Sequence, residues 1–428
     1  MGRKSKNFRI THLHKDILNP KVNFTLLNNG LLVVTEEVPF FNSFALGIGV
    51  KAGSRDDYIN KEGLSHLVEH CLFRRTKNFV SRQINELFEK YGAYANAYTT
   101  KEYTAFYVRA LNHNLEKVWE LLSEIVFEPN FIKNDIDKEK SIIREEIRSY
   151  NDDPEEEIID ITDKYLFQNT RLDHPIVGKI STLNKIDIKD IQKFYSEFYQ
   201  PSNIVIAYIG NTSHQVIVSM VERKIANIKT NSASIVRNIR PISNNNFRVV
   251  LKRQFLQSHI SITRSFQFNT SRERYLAAIS NLLLGDCASS RLYKSIREKN
   301  ALAYNIYSLF TSYSDCSAIY IYSTANPKKQ EKTINFIFEE LENIYDYGFS
   351  ENELILAKEQ IKSSTIMAFE NYSERLQAII KSELTYGNYE SLQETIELIE
   401  SITLEELNSF VKKLFNPNDW STLVFQPK

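Results

Sequence analysis

The chain has 428 residues, 42% hydrophobic and 25% charged, and its 53 basic and 53 acidic side chains leave no formal net charge. It therefore holds enough apolar material for two or more domains and carries neither the basic footprint of a nucleic-acid binder nor a polybasic membrane face, although Gly2-Arg3-Lys4-Ser5-Lys6 is locally basic. With no apolar run of about eighteen residues and no signal-peptide core near the start, a cytoplasmic location is the expectation. In chain order, alternation of apolar and polar residues predicts strands at Ala45 to Lys51 and Thr104 to Ala110, and a helix at Leu115 to Val126. A further helix covers Glu139 to Ile147, with Ile142, Ile143 and Ile147 as its apolar stripe. Glu139 and Glu146 lie two turns apart there and share a face, while Glu145 points about 100° away.

The acidic run Asp152-Asp153-Pro154-Glu155-Glu156-Glu157 reads as the start of another helix, with attraction of basic peptides as the alternative. Further on the chain repeats itself. The stretch from Ile186 to Pro201 matches the stretch from Ile402 to Pro417, and in each an amphipathic helix ends before a proline and an apolar strand follows. A repeat this long implies two similar domains rather than a solenoid. The polar stretch Thr230 to Asn246 reads as the linker, giving domains at 1–229 and 247–428. The second half has strands at Val249 to Lys252 and Ala318 to Ser323 and a helix at Lys332 to Tyr345. The fold class is α+β, two homologous domains that each pack helices on one side of a mostly antiparallel sheet.

Chemistry concentrates in His66-Leu67-Val68-Glu69-His70. Two imidazoles four residues apart on a helix point the same way and can reach one zinc ion. Glu69, on the same face, can take a proton from a water at that ion. The order His-x-x-Glu-His is that of the inverted zincins; the plain alternative is a solvated helix face. Cys71, next to His70, reads as a small buried side chain, and its position predicts sensitivity to thiol reagents. Together with Cys287 and Cys316 it forms no zinc-knuckle spacing, as fits a reducing compartment.

From Leu27 to Tyr107 the chain resembles the insulinase, pitrilysin and mitochondrial processing peptidase family. Leu27-Asn28-Asn29-Gly30-Leu31 is similar to its opening strand and turn, Val50-Lys51-Ala52-Gly53-Ser54-Arg55 to its second strand, and Gly63-Leu64-Ser65-His66 to the entry of its metal helix. The resemblance implies a zinc metalloendopeptidase with His66, His70 and Glu146 as ligands, Glu69 as general base and Glu139 behind the ligands. It also implies that Asn96-Ala97-Tyr98-Thr99 is an edge strand where a peptide adds as a further strand, an ordinary buried strand being the alternative. In the second half, Arg297 and Tyr304 match a family arginine and tyrosine that approach the bound peptide. If Phe131 aligns with Phe349, Glu146 falls opposite Ser364, so one zinc per chain is expected. Larger members close four such domains around a chamber, so two domains imply paired subunits: a homodimer ahead of a heterodimer, with Arg297 and Tyr304 serving the opposite zinc. Short unfolded peptides, presequences or leader peptides are the implied substrates. A non-catalytic scaffold or partner subunit is the alternative. Two loops depart from the family pattern, Phe73-Arg74-Arg75-Thr76 and Gly285-Asp286-Cys287-Ala288, both expected to lie clear of ligands and base.

Overall fold

The computed structural model describes residues 20–225, 228, 246–268 and 270–428. The expected linker lies outside them except for Asn246. In the first half, strands β1 (Val22–Leu26), β2 (Leu32–Glu37), β3 (Ser43–Val50), β4 (Tyr94–Thr99), β5 (Thr104–Leu111) and β6 (Ile204–Gly210) form one sheet in the order β1-β2-β6-β3-β5-β4. In the second, β7 (Arg248–Arg253), β8 (Ser258–Phe266), β9 (Ile306–Ser312), β10 (Ser317–Ala325) and β11 (Ser421–Pro427) follow the order β7-β11-β8-β10-β9. Each sheet has one parallel pair, β2 with β6 and β7 with β11, and is otherwise antiparallel. The second order is the first without its edge strand β1, so the duplication read in the chain is a duplication of topology.

The helices of the first half are α1 (Leu64–Leu72), α2 (Ser81–Lys90), α3 (Leu115–Phe127), α4 (Lys133–Asp152), α5 (Pro154–Leu166), the single turn α6 (Ile180–Leu183), α7 (Ile188–Phe198) and α8 (His214–Ile225). Those of the second are α9 (Ser271–Leu284), α10 (Gln330–Tyr347), α11 (Glu351–Glu370), α12 (Tyr372–Tyr386), α13 (Leu392–Ser401) and α14 (Leu404–Leu414). One core joins one face of the first sheet to residues of its own helices, among them Leu67, Trp119, Ile143 and Phe194. A matching core in the second half includes Ile262, Ile279, Ile337 and Leu407. On α4 the buried stripe is Ile136, Ile143 and Ile147; Ile142 is 42% exposed, because it sits one position, about 100°, off the buried row.

The remaining sheet faces are closed by an exchange of helices. From the second half, α12 packs Leu376, Ile379, Ile380 and Leu384 against Val34, Ala45, Ala207 and Ile209 of the first sheet. A Cβ on Gly49 of β3 would overlap Ile380 and come within 2.8 Å of Leu384 Cδ1, so glycine lets the helix approach. In return α5 of the first half places Ile158 with Leu423 and Phe425 of the second sheet, and Thr162 donates to Ser261 Oγ at 3.0 Å. Both faces of β3 and β6 are therefore covered, and these strands are buried along nearly their whole length instead of alternating as expected for Ala45 to Lys51.

Ionic contacts fasten the exchange. Arg375 of α12 pairs with fully buried Glu36 of β2, and Arg253 of β7 pairs with Glu157 of α5 at 2.9 Å. Asp153 caps α5 by accepting from Glu155 N at 2.9 Å, and Tyr307 of β9 donates to Glu155. The acidic run is thus a helix start bound to the second half, which leaves three of its carboxylates, Asp153, Glu155 and Glu157, engaged rather than free to attract peptides. Arg55 bonds Glu102 at 2.8 Å and Asp315 of the second half at 2.5 and 2.7 Å, and Ser314 N donates to Glu102 at 2.8 Å. Among the described residues no helix is long and apolar enough to cross a membrane.

Candidate metal centre

The site is built on α1. Its start is fixed by Asp57, whose two carboxylate oxygens accept from Gly63 N and Ser65 N, each at 2.7 Å, satisfying donors that have no partner inside the helix. Gly63 itself adopts φ 94°, a conformation that favours glycine. Asp57 is wholly enclosed, and burial pushes its carboxyl up to about 7. Every residue of α1 except His66 and His70 is buried, so the two imidazoles are the ones that look outward.

Their Nε2 atoms lie 3.2 Å apart, and each is 3.9 Å from Glu146 Oε2 of α4. These three groups are the set of potential ligands that converge among the described residues. Glu145, the neighbour of Glu146, is exposed and pairs with Arg148 instead. Glu139 is buried one face-row along α4 and lies 2.9 Å from His70 Nδ1. A carboxylate only accepts, so His70 Nδ1 is the donor in that contact and Nε2 is the atom turned toward His66 and Glu146. Burial, with His70 beside it as the smaller cause, drives His66 down to about 3, which leaves that ring neutral near pH 7. Two ligand nitrogens at about 2.0–2.1 Å from a tetrahedral ion stand about 3.3 Å apart, so the pair of rings fits zinc closely and the carboxylate lies slightly farther out. His66 Nδ1 is buried without a hydrogen-bond partner.

Glu69 is buried beside this set. Burial raises its pKa, and the Thr99 hydroxyl, at the end of β4, donates to its Oε2 at 2.6 Å and opposes that rise. Sequence reasoning passed over Thr99 as a partner of the base, since nothing local links two residues thirty positions apart. In the Phe73-Arg74-Arg75-Thr76 departure, Arg74 reaches neither a ligand nor the base but the carboxylate behind them, where its Nε donates to Glu139 Oε1. The thiol of Cys71 is a correction. It points into the core, is 4% exposed and is pushed up to about 12 by burial, so sensitivity to thiol reagents is not expected of it.

Strand β4 is an edge of the sheet, as expected. Ala97 N donates to its neighbour's Asn96 Oδ1 at 2.8 Å, so the Ala97 backbone faces the open side. Ala95 and Ala97 pack with the face that carries α1, and the Tyr98 ring packs on the opposite face, among Tyr103 and Tyr107. Arg297 and Tyr304 contact each other in the second half. The Arg297 guanidinium lies 4.9 Å from each of the Tyr293 and Tyr304 rings, and Tyr304 is 74% exposed. Among the described residues neither makes a hydrogen bond or ion pair with His66, Glu69, His70 or Glu146.

Known proteins are similar to this chain in sequence and fold. Residues 32–179 match the family model described as Insulinase (Peptidase family M16), and residues 185–361 match the model described as Peptidase M16 inactive domain. The seam between the two matches precedes β6, which nonetheless pairs within the first sheet. The chain is 29% identical over 401 residues to the uncharacterized zinc protease YmxG of Bacillus subtilis, covering 93% of this chain and 97% of that protein. It is also 29% identical over 403 residues to an uncharacterized zinc protease of Rickettsia felis, covering 94% and 97%. Among solved structures, a protease from Helicobacter pylori superposes with a TM-score of 0.89 at 21% identity, over 96% of this chain and all of that one. A peptidase M16 inactive domain from Pseudomonas fluorescens superposes at 0.88 and 18% identity, over 95% and 98%. By its two matched halves, its relatives and its fold, the chain belongs to the insulinase, or M16, peptidase family.

Proposed function

We propose that this protein is a zinc-dependent endopeptidase of short unfolded peptides, presequences or leader peptides. The observation that carries the reading is the convergence of two imidazoles and the Glu146 carboxylate, with Glu69 buried alongside. His66, His70 and Glu146 would hold one zinc ion, which leaves a fourth position for water. Bound there, zinc supplies polarisation of the scissile carbonyl and a lower pKa for water. Glu69 accepts the water proton while the water oxygen bonds to the carbonyl carbon. It then returns that proton to the departing amine nitrogen as the carbon–nitrogen bond breaks. Thr99 keeps one oxygen of Glu69 engaged, so the other is the one directed to the proton. Glu139 holds the His70 ring in the tautomer that a metal requires.

A peptide aligned along β4 would bond to the outward backbone of Ala97, taking the donor that Asn96 now occupies, which favours tolerance of side-chain sequence. By the alternation of an antiparallel pair the backbones of Asn96 and Tyr98 face β5, so of these three residues Ala97 is the one that offers backbone to such a peptide. Arg297 and exposed Tyr304 would serve the partner's substrate in a homodimer, as the family resemblance implies. The test is metal content together with cleavage of a quenched fluorescent peptide with and without chelator. About one zinc per chain and chelator-sensitive cleavage are expected; a metal-free or inert chain sinks the reading in favour of a scaffold. Mixing Glu69→Gln chains with Arg297→Ala chains is expected to restore turnover that neither has alone, and verified mixed dimers without recovery sink the action in trans.

A further inference from the structure

Glu139 does not stand alone behind His70. Its side chain is 5% exposed and both of its oxygens are used: Oε2 meets His70 Nδ1 at 2.9 Å, and Oε1 accepts from Arg74 Nε. Arg74 lies two residues past the end of α1, four positions after His70, so the loop that leaves the ligand-bearing helix supplies the clamp on the ligand's support. The next residue is a built-in comparison. Arg75 makes the same kind of bond from the same loop to the same helix, with its Nε 3.0 Å from Asp135, but touches nothing that touches a ligand.

A carboxylate bonded through one oxygen can swing about its own axis, and an imidazole that donates to it swings with it. Bonded through both oxygens, its plane is held, and so is the direction in which His70 Nε2 points. We infer that Arg74 is a positioning residue for the metal: it acts through Glu139 to aim His70, and a share of the zinc affinity depends on it. This rests on the zinc reading above.

Zinc dissociation constants of full-length chains, measured by competition with a chromophoric chelator, test it, with urea unfolding of the zinc-free chains alongside. Arg74→Ala is expected to weaken zinc binding about tenfold or more. Glu139→Gln should weaken it by at least as much, and the double variant should be no worse than Glu139→Gln alone, because the arginine works through the carboxylate. Arg74→Lys should recover part of the loss, and Arg75→Ala should stay within about twofold of the parent. An unchanged constant in Arg74→Ala overturns the inference while leaving the zinc reading intact. Additive losses in the double variant, or an equal loss in Arg75→Ala, overturn it too, since either would mean general loosening. A parent chain that takes up no zinc overturns both.

Discussion

The six-stranded and five-stranded halves run through the same elements, and the closest match is between α4 and α11. Both have 20 residues, so Lys133 aligns with Glu351. In that register Ile136 meets Leu354, both buried, and Ile143 meets Ile361. The polar face differs. Glu139 meets Ala357, fully buried, and Glu146 meets Ser364, which is exposed and bonds its own helix at Ile361 O. The apolar frame that makes the fold is thus common to both copies, and the groups that converge as ligands are an addition carried by one. A buried carboxylate needs partners, and the first half supplies them in His70 and Arg74. Where those partners are missing, alanine fills the same place without a desolvation cost.

The exchange of helices shows a second asymmetry. Each exchanged helix is tied to a strand of the opposite half, yet the signs are reversed: arginine on α12 with glutamate on β2, glutamate on α5 with arginine on β7. The first pair is nearly sealed, at 7% and 0% side-chain exposure, and the second is at the surface rim, at 31% and 17%.

Four experiments sharpen or break this comparison. The largest effect is expected at the base: Glu69→Gln should keep its zinc and lose about 10²–10⁴-fold in peptide hydrolysis, whereas Glu359→Gln on α11 should leave the rate unchanged. Retained turnover in Glu69→Gln would remove the functional distinction between the halves. Next come the two ion pairs. Arg375→Ala strands a buried glutamate and should cost about 3–5 kcal/mol in urea unfolding, against about 0.2–1 kcal/mol for Arg253→Ala. Equal losses would show that the two seams are fastened alike.

Smaller is the packing effect at Gly49, where Gly49→Ala should cost about 1–3 kcal/mol by pushing α12 off β3. A neutral result would mean that the helix has slack to move. The smallest effect concerns pH. Asp160 on α5 is pushed by burial from 3.8 up to about 6, while the position that aligns with it in α12, Ala378, carries no charge. The folded chain then holds that proton to about pH 6 and the unfolded chain releases it near 3.8, so this group's contribution to stability falls as pH rises between the two values. Asp160→Asn should lessen the loss in urea midpoint between about pH 4 and about pH 7. An unchanged pH profile would place the titration elsewhere.

Much of this was legible in the chain. The spacing of His66, Glu69 and His70 is a property of one helix, and helical period alone puts the three on one side. The matched helix–proline–strand segments announced two copies, and the face shared by Glu139 and Glu146 followed from two turns of α4. Ile142 shows the limit of such counting, because adjacent apolar residues compete for one stripe and only packing says which of them faces the core. The role of Arg74 was out of reach for another reason: a loop residue has no periodicity from which to read its direction.

What the sequence determined by itself was therefore local and periodic: which segments are helix or strand, that they occur twice, and which ligands one helix turn can present together. Tertiary structure decided everything that crosses between segments. Thr99 on Glu69, Arg74 on Glu139, Asp57 at the head of α1 and Asp315 on Arg55 join residues whose separation in the chain carries no signal. The physical reason is that hydrogen bonds and ion pairs act over a few ångströms of space, and which distant groups come that close is settled only when the two halves exchange helices and close their shared cores.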